Sequence, residues 1–220
     1  MQIDGIISYI DNNEIEVQEV PDPEIDREYG LLLKVKACSV CGSDIRIFRY
    51  GNDRIDFPQI VGHEVAGKVI KKGKKVNKFE IGDKVALGAD VPCGQCVFCE
   101  DGRGNECRTN YAIGYQFQGG FAELMPLNKQ TIELGPVHKI PEEVSYEEAS
   151  LAEPLACCIN GLELTPVSLG DTVVIIGAGP IGCMLVQLAQ IQGAKKIILA
   201  QRSQKRLEMA KKFGADVYVS

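Results

Sequence analysis

The chain has 220 residues, of which 45% are hydrophobic and 25% charged, and its 24 basic and 30 acidic side chains leave a net charge of −6. That composition belongs to a folded globular chain and argues against a disordered, collagen-like or low-complexity one. The acidic balance argues against nucleic acid as a partner, because phosphate-backbone affinity is carried by cationic side chains.

Met1–Ile10 (MQIDGIISYI) carries Asp4 and no basic n-region, so no secretory leader is expected there. Nine cysteines in such a chain are expected to stay reduced, which suits a cytoplasmic protein. Along the chain, Leu31–Ala37 reads as a strand, an apolar run that then alternates. Glu64–Ile70 is a second strand, stopped by Lys71-Lys72-Gly73, and the stretch Glu80–Leu87 puts a turn before a third. Short runs between glycine-rich and charged turns predict a compact β barrel or meander. Residues 89–120 are rich in Cys and Gly with little periodicity, so something other than an apolar core must fix them.

The pattern changes after Pro141. Ser145 and Glu148 have capping-box spacing at a helix start. Thr172–Ile176 reads as a strand, Ile181–Gln192 as a helix, Lys196–Ala200 as a strand, Ser203–Phe213 as a helix closed by Gly214, and Val217–Val219 as the start of a strand. This is the opening of a parallel α/β sheet. The charge-free run Thr172–Ala194 is long enough to span a bilayer. However, Gly177, Gly179, Pro180 and Gly182 interrupt it and Gln187, Gln190 and Gln192 dot it, so a buried strand–turn–helix is expected and no membrane partner. At Ser220 the sheet has only begun and would keep an open edge, so a fragment of a longer protein is expected.

Cys93-x2-Cys96-x2-Cys99-x7-Cys107 is the most specific signal. Closely spaced thiolates can wrap one zinc ion at about 2.3 Å each, and four protein ligands leave no open position, so the ion would be structural. An iron–sulfur cluster also takes four thiolates, but the last cysteine lies too far along for the ferredoxin spacing.

A second constellation comprises Cys41-Gly42-Ser43-Asp44, Gly62-His63-Glu64 and Glu153-Pro154-Leu155. One thiolate, one imidazole and a carboxylate can form a mixed zinc site with a vacancy for a substrate oxygen. Ser43 is a candidate proton carrier, and Asp44 a candidate partner for the far side of the His63 ring. Cys38 and Cys41 also form a CxxC, for which a redox role is the competing reading. Cys157, Cys158 and Cys183 read as small apolar core residues, and His138 as a surface residue.

Gly177-Ala178-Gly179-Pro180-Ile181-Gly182 follows a strand and opens a helix, the setting in which GxGxxG binds a dinucleotide pyrophosphate. NAD sites usually carry an acid about 20 residues on, for the ribose 2′-hydroxyl. Here Gln201-Arg202-Ser203-Gln204-Lys205-Arg206 has none. Arg202 and Arg206 can pair instead with a 2′-phosphate, which favours NADP over NAD.

Together CGSD at 41–44, GHE at 62–64, the four-cysteine lobe, Gly119-Gly120-Phe121-Ala122-Glu123, Glu153-Pro154-Leu155 and GAGPIG at 177–182 resemble the zinc-containing medium-chain dehydrogenase/reductase family. The pattern is most similar to its sorbitol (L-iditol) and polyol branch, with threonine and sugar-phosphate dehydrogenases nearby.

The resemblance implies a β-rich GroES-like catalytic domain over residues 1–155, with the structural zinc lobe at about 89–120, and the start of a Rossmann domain over 156–220. It implies catalytic zinc on Cys41, His63 and Glu64, with Glu153 beside the zinc or ligating it, and proton relay through Ser43. It also implies hydride transfer between a secondary alcohol or its ketone and a nicotinamide cofactor, by a homodimer or homotetramer. The stretch without an acid at Gln201 departs from many sorbitol dehydrogenases. The fragment alone is expected to turn over poorly. Two other readings remain: a zinc-independent quinone or enone reductase, and a non-enzymatic zinc module.

Overall fold

The computed structural model describes residues 3–9 and 14–220. In chain order its strands are β1 (Ile3–Tyr9), β2 (Glu14–Val20), β3 (Leu31–Ser39), β4 (Gln59–Ile60), β5 (Glu64–Lys72), β6 (Lys84–Leu87), β7 (Asp90–Val91), β8 (Tyr111–Ala112), β9 (Leu124–Leu127), β10 (Val137–Lys139), β11 (Thr172–Ile176), β12 (Lys196–Ala200) and β13 (Val217–Val219). The helices are α1 (Gly42–Tyr50), α2 (Val97–Glu100), α3 (Lys129–Leu134), α4 (Tyr146–Ala149), α5 (Ala152–Leu164), α6 (Pro180–Ile191) and α7 (Gln204–Ala210). Two compact units result, Met1–Glu153 and Pro154–Ser220. Of the stretch considered for a leader, Met1, Gln2 and Ile10 lie outside the described residues, and the rest is β1.

In the first unit five antiparallel strands lie in the order β10-β6-β5-β3-β9. The triple leucine that opens β3 is buried throughout, because both faces of the strand are covered. Leu31 and Leu33 point one way, into a core with Val65, Val69, Phe79, Val85 and Met125. Leu32 points the other way and packs with Leu124. Side chains alternate across a strand, so three consecutive leucines need two apolar layers. Each fully buried leucine contributes on the order of 1.5–3 kcal/mol.

The pairing of β3 with β5 ends where Ser39 faces Glu64. The chain leaving β3 and the chain entering β5 therefore run side by side, and this register brings the segments around Cys41 and His63 together. Beneath them Ser39 Oγ lies 2.7 Å from Ser150 Oγ, just past α4. The expected capping box is present at α4: the Glu148 N–H donates to Ser145 Oγ at 3.1 Å, and the Ser145 N–H to Glu148 Oε2 at 2.9 Å.

The second unit is a parallel sheet, β11-β12-β13, with Thr172–Ile176 in register with Lys196–Ala200. Its core contains Ile175, Val186, Ala189, Ile197, Leu199 and Leu207. The charge-free run becomes β11, the glycine turn and α6, and no helix among the described residues is long and apolar enough to cross a membrane. The fold is thus a β-rich GroES-like unit followed by the opening of a Rossmann sheet.

The stretch 89–120, expected to need more than an apolar core, holds the four-cysteine cluster and the short β7–β8 pair around α2. Two expectations are revised. The last turn expected of α7 tightens into a 3₁₀ turn at Lys211–Phe213 before Gly214 at φ +83°. Cys157 is exposed, whereas its neighbour Cys158 is buried. Consecutive helical positions point about 100° apart at 3.6 residues per turn, so only one of the two faces the core.

Candidate functional site

The ligand atoms of Cys41, His63 and Glu64 lie within 4.8 Å of one another. Cys41 caps the N-terminus of α1, and its N–H donates to Asp44 Oδ2 at 2.8 Å. The other oxygen of the same carboxylate, Oδ1, stands 3.5 Å from His63 Nδ1, and neither of these buried atoms has a hydrogen-bond partner among the described residues. A ring with its Nδ1–H toward Asp44 keeps the Nε2 lone pair free for a metal, the usual arrangement of a ligating histidine. Ser43 Oγ lies 3.4 Å from that Nε2.

His63, Glu64 and Asp44 are all buried. Burial opposes a charged imidazole, but Asp44 and then Cys41 outweigh it and push His63 up to about 9. Glu64 is also raised, first by burial; the positive His63 opposes this and the charge of Glu153 adds to it. Glu153, in the first turn of α5, stands outside the converging trio and acts on the site through this charge. A soft thiolate, an imidazole and a carboxylate, gathered where buried charge needs compensation, suit zinc. Cys38 does not suit redox chemistry, since burial and the nearby Asp44 and Glu64 push its thiol up to about 12.

A brace of backbone hydrogen bonds holds the His63 turn. The N–H groups of Gly119, Gly120 and Phe121 donate to the carbonyls of Ile60, Gly62 and Val61, at 2.8, 2.9 and 3.0 Å. A Cβ at Gly119 would stand 2.3 Å from the Val61 oxygen, so the GGF segment can approach this closely only without a side chain. Phe121 also borders an apolar cavity of about 440 Å³, next to Asp44 and lined further by Cys38, Ile45 and Phe48.

In the second cluster the sulfur–sulfur distances are 3.5 Å for Cys96–Cys99 and 3.9 Å for both Cys93–Cys99 and Cys96–Cys107. Four zinc–sulfur bonds of about 2.3 Å define a tetrahedron with edges of about 3.8 Å, so the four thiols already have zinc spacing. Cys107 Sγ accepts from the N–H groups of Asn110 and Cys93, which hold it down to about 6. Donors from Arg108 and Cys99 lower Cys96 in the same way, whereas burial pushes Cys99 up to about 11. Hydrogen-bonded thiolates are the form that binds metal.

The glycines of the third motif have separable tasks. Gly177 sits at φ +113°, a region that other residues rarely adopt. A Cβ at Gly182 would stand 1.8 Å from the Gly177 oxygen, so this glycine lets α6 meet the turn. A Cβ at Gly179 would meet nothing, which leaves open space at the helix N-terminus. Pro180 occupies the first turn of α6, and Ile181 follows it. Gln201 directly follows β12, and Arg202 and Arg206 are both exposed around the α7 cap, where the Arg206 N–H donates to Ser203 Oγ at 3.4 Å.

Three residues near the site escape the sequence reading: Arg54, Asn110 and Tyr115. They come from three connecting segments, and no short motif marks them. Tyr115 lies 6.3 Å from the His63 ring, and Arg54 stacks on Tyr115 at 5.0 Å. Asn110 adopts φ +40°, a conformation in which asparagine is enriched but which still signals a special position.

Residues 27–142 match the alcohol dehydrogenase GroES-like domain, and residues 180–220 match the zinc-binding dehydrogenase family. The chain belongs to the zinc-containing medium-chain dehydrogenases. Within this family it is 36% identical over 208 residues to a sorbitol dehydrogenase from Bombyx mori, covering 93% of this chain and 58% of the relative. Among solved structures, a zinc-binding dehydrogenase from Sinorhizobium meliloti 1021, bound to NADP, matches with a TM-score of 0.90 and 32% identity, covering 100% of this chain and 62% of the other. An alcohol dehydrogenase from E. coli CFT073, complexed with NADH, matches with a TM-score of 0.87 and 32% identity, covering 99% and 62%. The chain therefore spans about three fifths of the length of these family members.

Proposed function

We propose that the protein is a zinc-dependent dehydrogenase that transfers hydride between a secondary alcohol of the polyol class and NADP. The observation that carries this reading is the convergence of the Cys41, His63 and Glu64 ligand atoms, with Asp44 behind the imidazole. When bound, zinc on these residues supplies Lewis-acid polarisation of an alcohol oxygen, and the nicotinamide supplies the hydride acceptor. Asp44 orients the His63 ring, and its charge balances the imidazole. Ser43, at hydrogen-bonding reach of the His63 edge, carries the alcohol proton away at its Oγ. Glu153 adjusts the charge of Glu64. Cys93, Cys96, Cys99 and Cys107 hold a second, structural zinc.

Residues 1–155 act as the catalytic domain and 156–220 as the start of the cofactor domain. Gly177–Gly182 cradles the pyrophosphate against the N-terminus of α6. Arg202 and Arg206 favour NADP because the stretch Gln201–Arg206 just after β12 holds no acid and two exposed guanidinium groups can pair with a 2′-phosphate. The active protein is a homodimer or homotetramer of the longer chain.

The test is to count zinc in the full-length gene product and to follow reduced nicotinamide with NADP and NAD against polyols, L-threonine and simple secondary alcohols. Two zinc ions per chain and turnover of a polyol with NADP are expected. Absence of zinc from Cys41 and His63, or turnover that survives its removal, would overturn the reading.

A further inference from the structure

Arg54 is tied to its surroundings but has no acidic partner among the described residues. Its guanidinium carbon lies 5.0 Å from the centre of the Tyr115 ring, and its Nη2 donates to the Asn110 carbonyl. Among the described residues it makes no ion pair, and it is exposed to solvent. A guanidinium has five N–H donors, so among the described residues most of them remain uncommitted. The Tyr115 ring that supports it is the one that lies 6.3 Å from the His63 imidazole, tilted by 52°. A cation thus stands one aromatic ring away from a candidate zinc ligand.

The support is held by hydrogen bonds. Gln59 Nε2 donates to the Tyr115 carbonyl at 2.6 Å, and Gln116 Nε2 to the Arg54 carbonyl at 3.0 Å, so the two loops are tied in both directions. Asn110, which receives the guanidinium, is itself anchored to the four-cysteine lobe, because its N–H donates to Cys107 Sγ at 3.3 Å. Its Nδ2 donates to Asp90 Oδ1 at 3.0 Å. The lobe therefore sets the Asn110 carbonyl, which sets the guanidinium, which rests on the ring beside His63. Such preorganisation suits an arginine that reads a ligand, since a planar fork held in advance loses little entropy on binding.

We propose that Arg54 recognises an anionic group, phosphate or carboxylate, carried by the alcohol substrate away from the carbon that is oxidised. Both groups accept paired N–H donors from a guanidinium, and a neutral polyol offers no charge to match. The inference rests on the dehydrogenase reading for the identity of the substrate as an alcohol. Anion binding at Arg54 can be tested apart from it.

The experiment uses the full-length, zinc-loaded protein and its Arg54→Gln and Arg54→Lys variants. Calorimetric titration with inorganic phosphate is read first, because it needs no turnover. The kcat/KM values for sorbitol, sorbitol 6-phosphate and L-threonine follow. Arg54→Gln is expected to weaken phosphate binding, and to lower kcat/KM for the preferred anionic alcohol by about 10- to 100-fold, the range for a hydrogen bond to a charged group, mainly through KM. Sorbitol turnover is expected to be unchanged, and Arg54→Lys to recover part of the loss. Preference for sorbitol 6-phosphate identifies the group as phosphate, and preference for L-threonine as carboxylate. Equal phosphate binding by wild type and Arg54→Gln, or an equal loss for sorbitol and the anionic alcohols, would overturn the proposal. If no alcohol is turned over, the dehydrogenase reading fails and the phosphate titration still decides the role of Arg54.

Discussion

The two candidate zinc sites are built on opposite plans. The four-cysteine lobe draws every ligand from one stretch, Cys93–Cys107, and its sulfurs already stand at tetrahedral spacing. The mixed site draws Cys41 from the start of α1 and His63 and Glu64 from the entry to β5, and it depends on the β3–β5 register to bring them together. A closed set of four identical ligands suits a structural ion. A trio with mixed donors, backed by Asp44 and flanked by Ser43, suits an ion that keeps one position for a substrate oxygen. The contrast separates the work of holding a loop from the work of chemistry, and the variants below should separate them in the full-length protein.

The largest effects should divide cleanly. His63→Ala is expected to lower kcat/KM at least about a thousandfold, corresponding to the several kcal/mol supplied by a Lewis acid. Zinc content should fall from two ions per chain to one, with little change in Tm. Cys96→Ser should also remove one ion, but its main cost should be stability. Loss of several kcal/mol is a large part of the about 5–15 kcal/mol that holds a domain folded. Elemental analysis and thermal denaturation of the two variants check this. A His63→Ala protein that unfolds as early as Cys96→Ser would break the contrast.

Asp44→Asn tests a smaller step within the mixed site. An asparagine can still accept the Cys41 N–H, so the cap of α1 should survive. The charge facing His63 Nδ1 is lost. Outer partners of metal-binding histidines typically contribute 10- to 100-fold in affinity or activity, and about that loss is expected in zinc competition with a chelator. An unchanged zinc affinity would mean that Asp44 serves only the helix cap.

The same contrast explains how much of the molecule is legible in its sequence. A ligand set confined to one short segment shows itself as spacing, so Cys93–Cys107 can be read from the residues alone. So can GAGPIG and the Ser145 cap, since each acts within a few residues of itself. Cys41 and His63 are legible as separate motifs, but their meeting depends on Ser39 pairing with Glu64, a tertiary fact. Arg54, Asn110 and Tyr115 are not legible, because connecting segments more than fifty residues apart must be tied before they meet. The β1–β2 hairpin also escapes the sequence reading. Its second strand alternates as Glu14-Ile15-Glu16-Val17, yet Ile15 and Val17 are 52% and 68% exposed, so the alternation does not report burial in the described residues.

The smallest expected effect serves as a control for both zinc sites. Ser145→Ala removes the N-cap of α4 and should cost about 1 kcal/mol, without changing zinc content or the sorbitol KM. Its pH dependence has a definite sign. The Ser145 N–H and hydroxyl both donate to Glu148, and these bonds hold the Glu148 carboxyl below its ordinary value of 4.5. Folding thus favours the ionised form, and the resulting stability is fully present above pH 4.5 and lost as pH falls through the lowered value. The gap in denaturation midpoint between wild type and Ser145→Ala should therefore be widest near neutral pH and narrow as the solution is acidified below 4.5. A gap that stayed constant down to acid pH would show that the serine caps α4 without help from the glutamate.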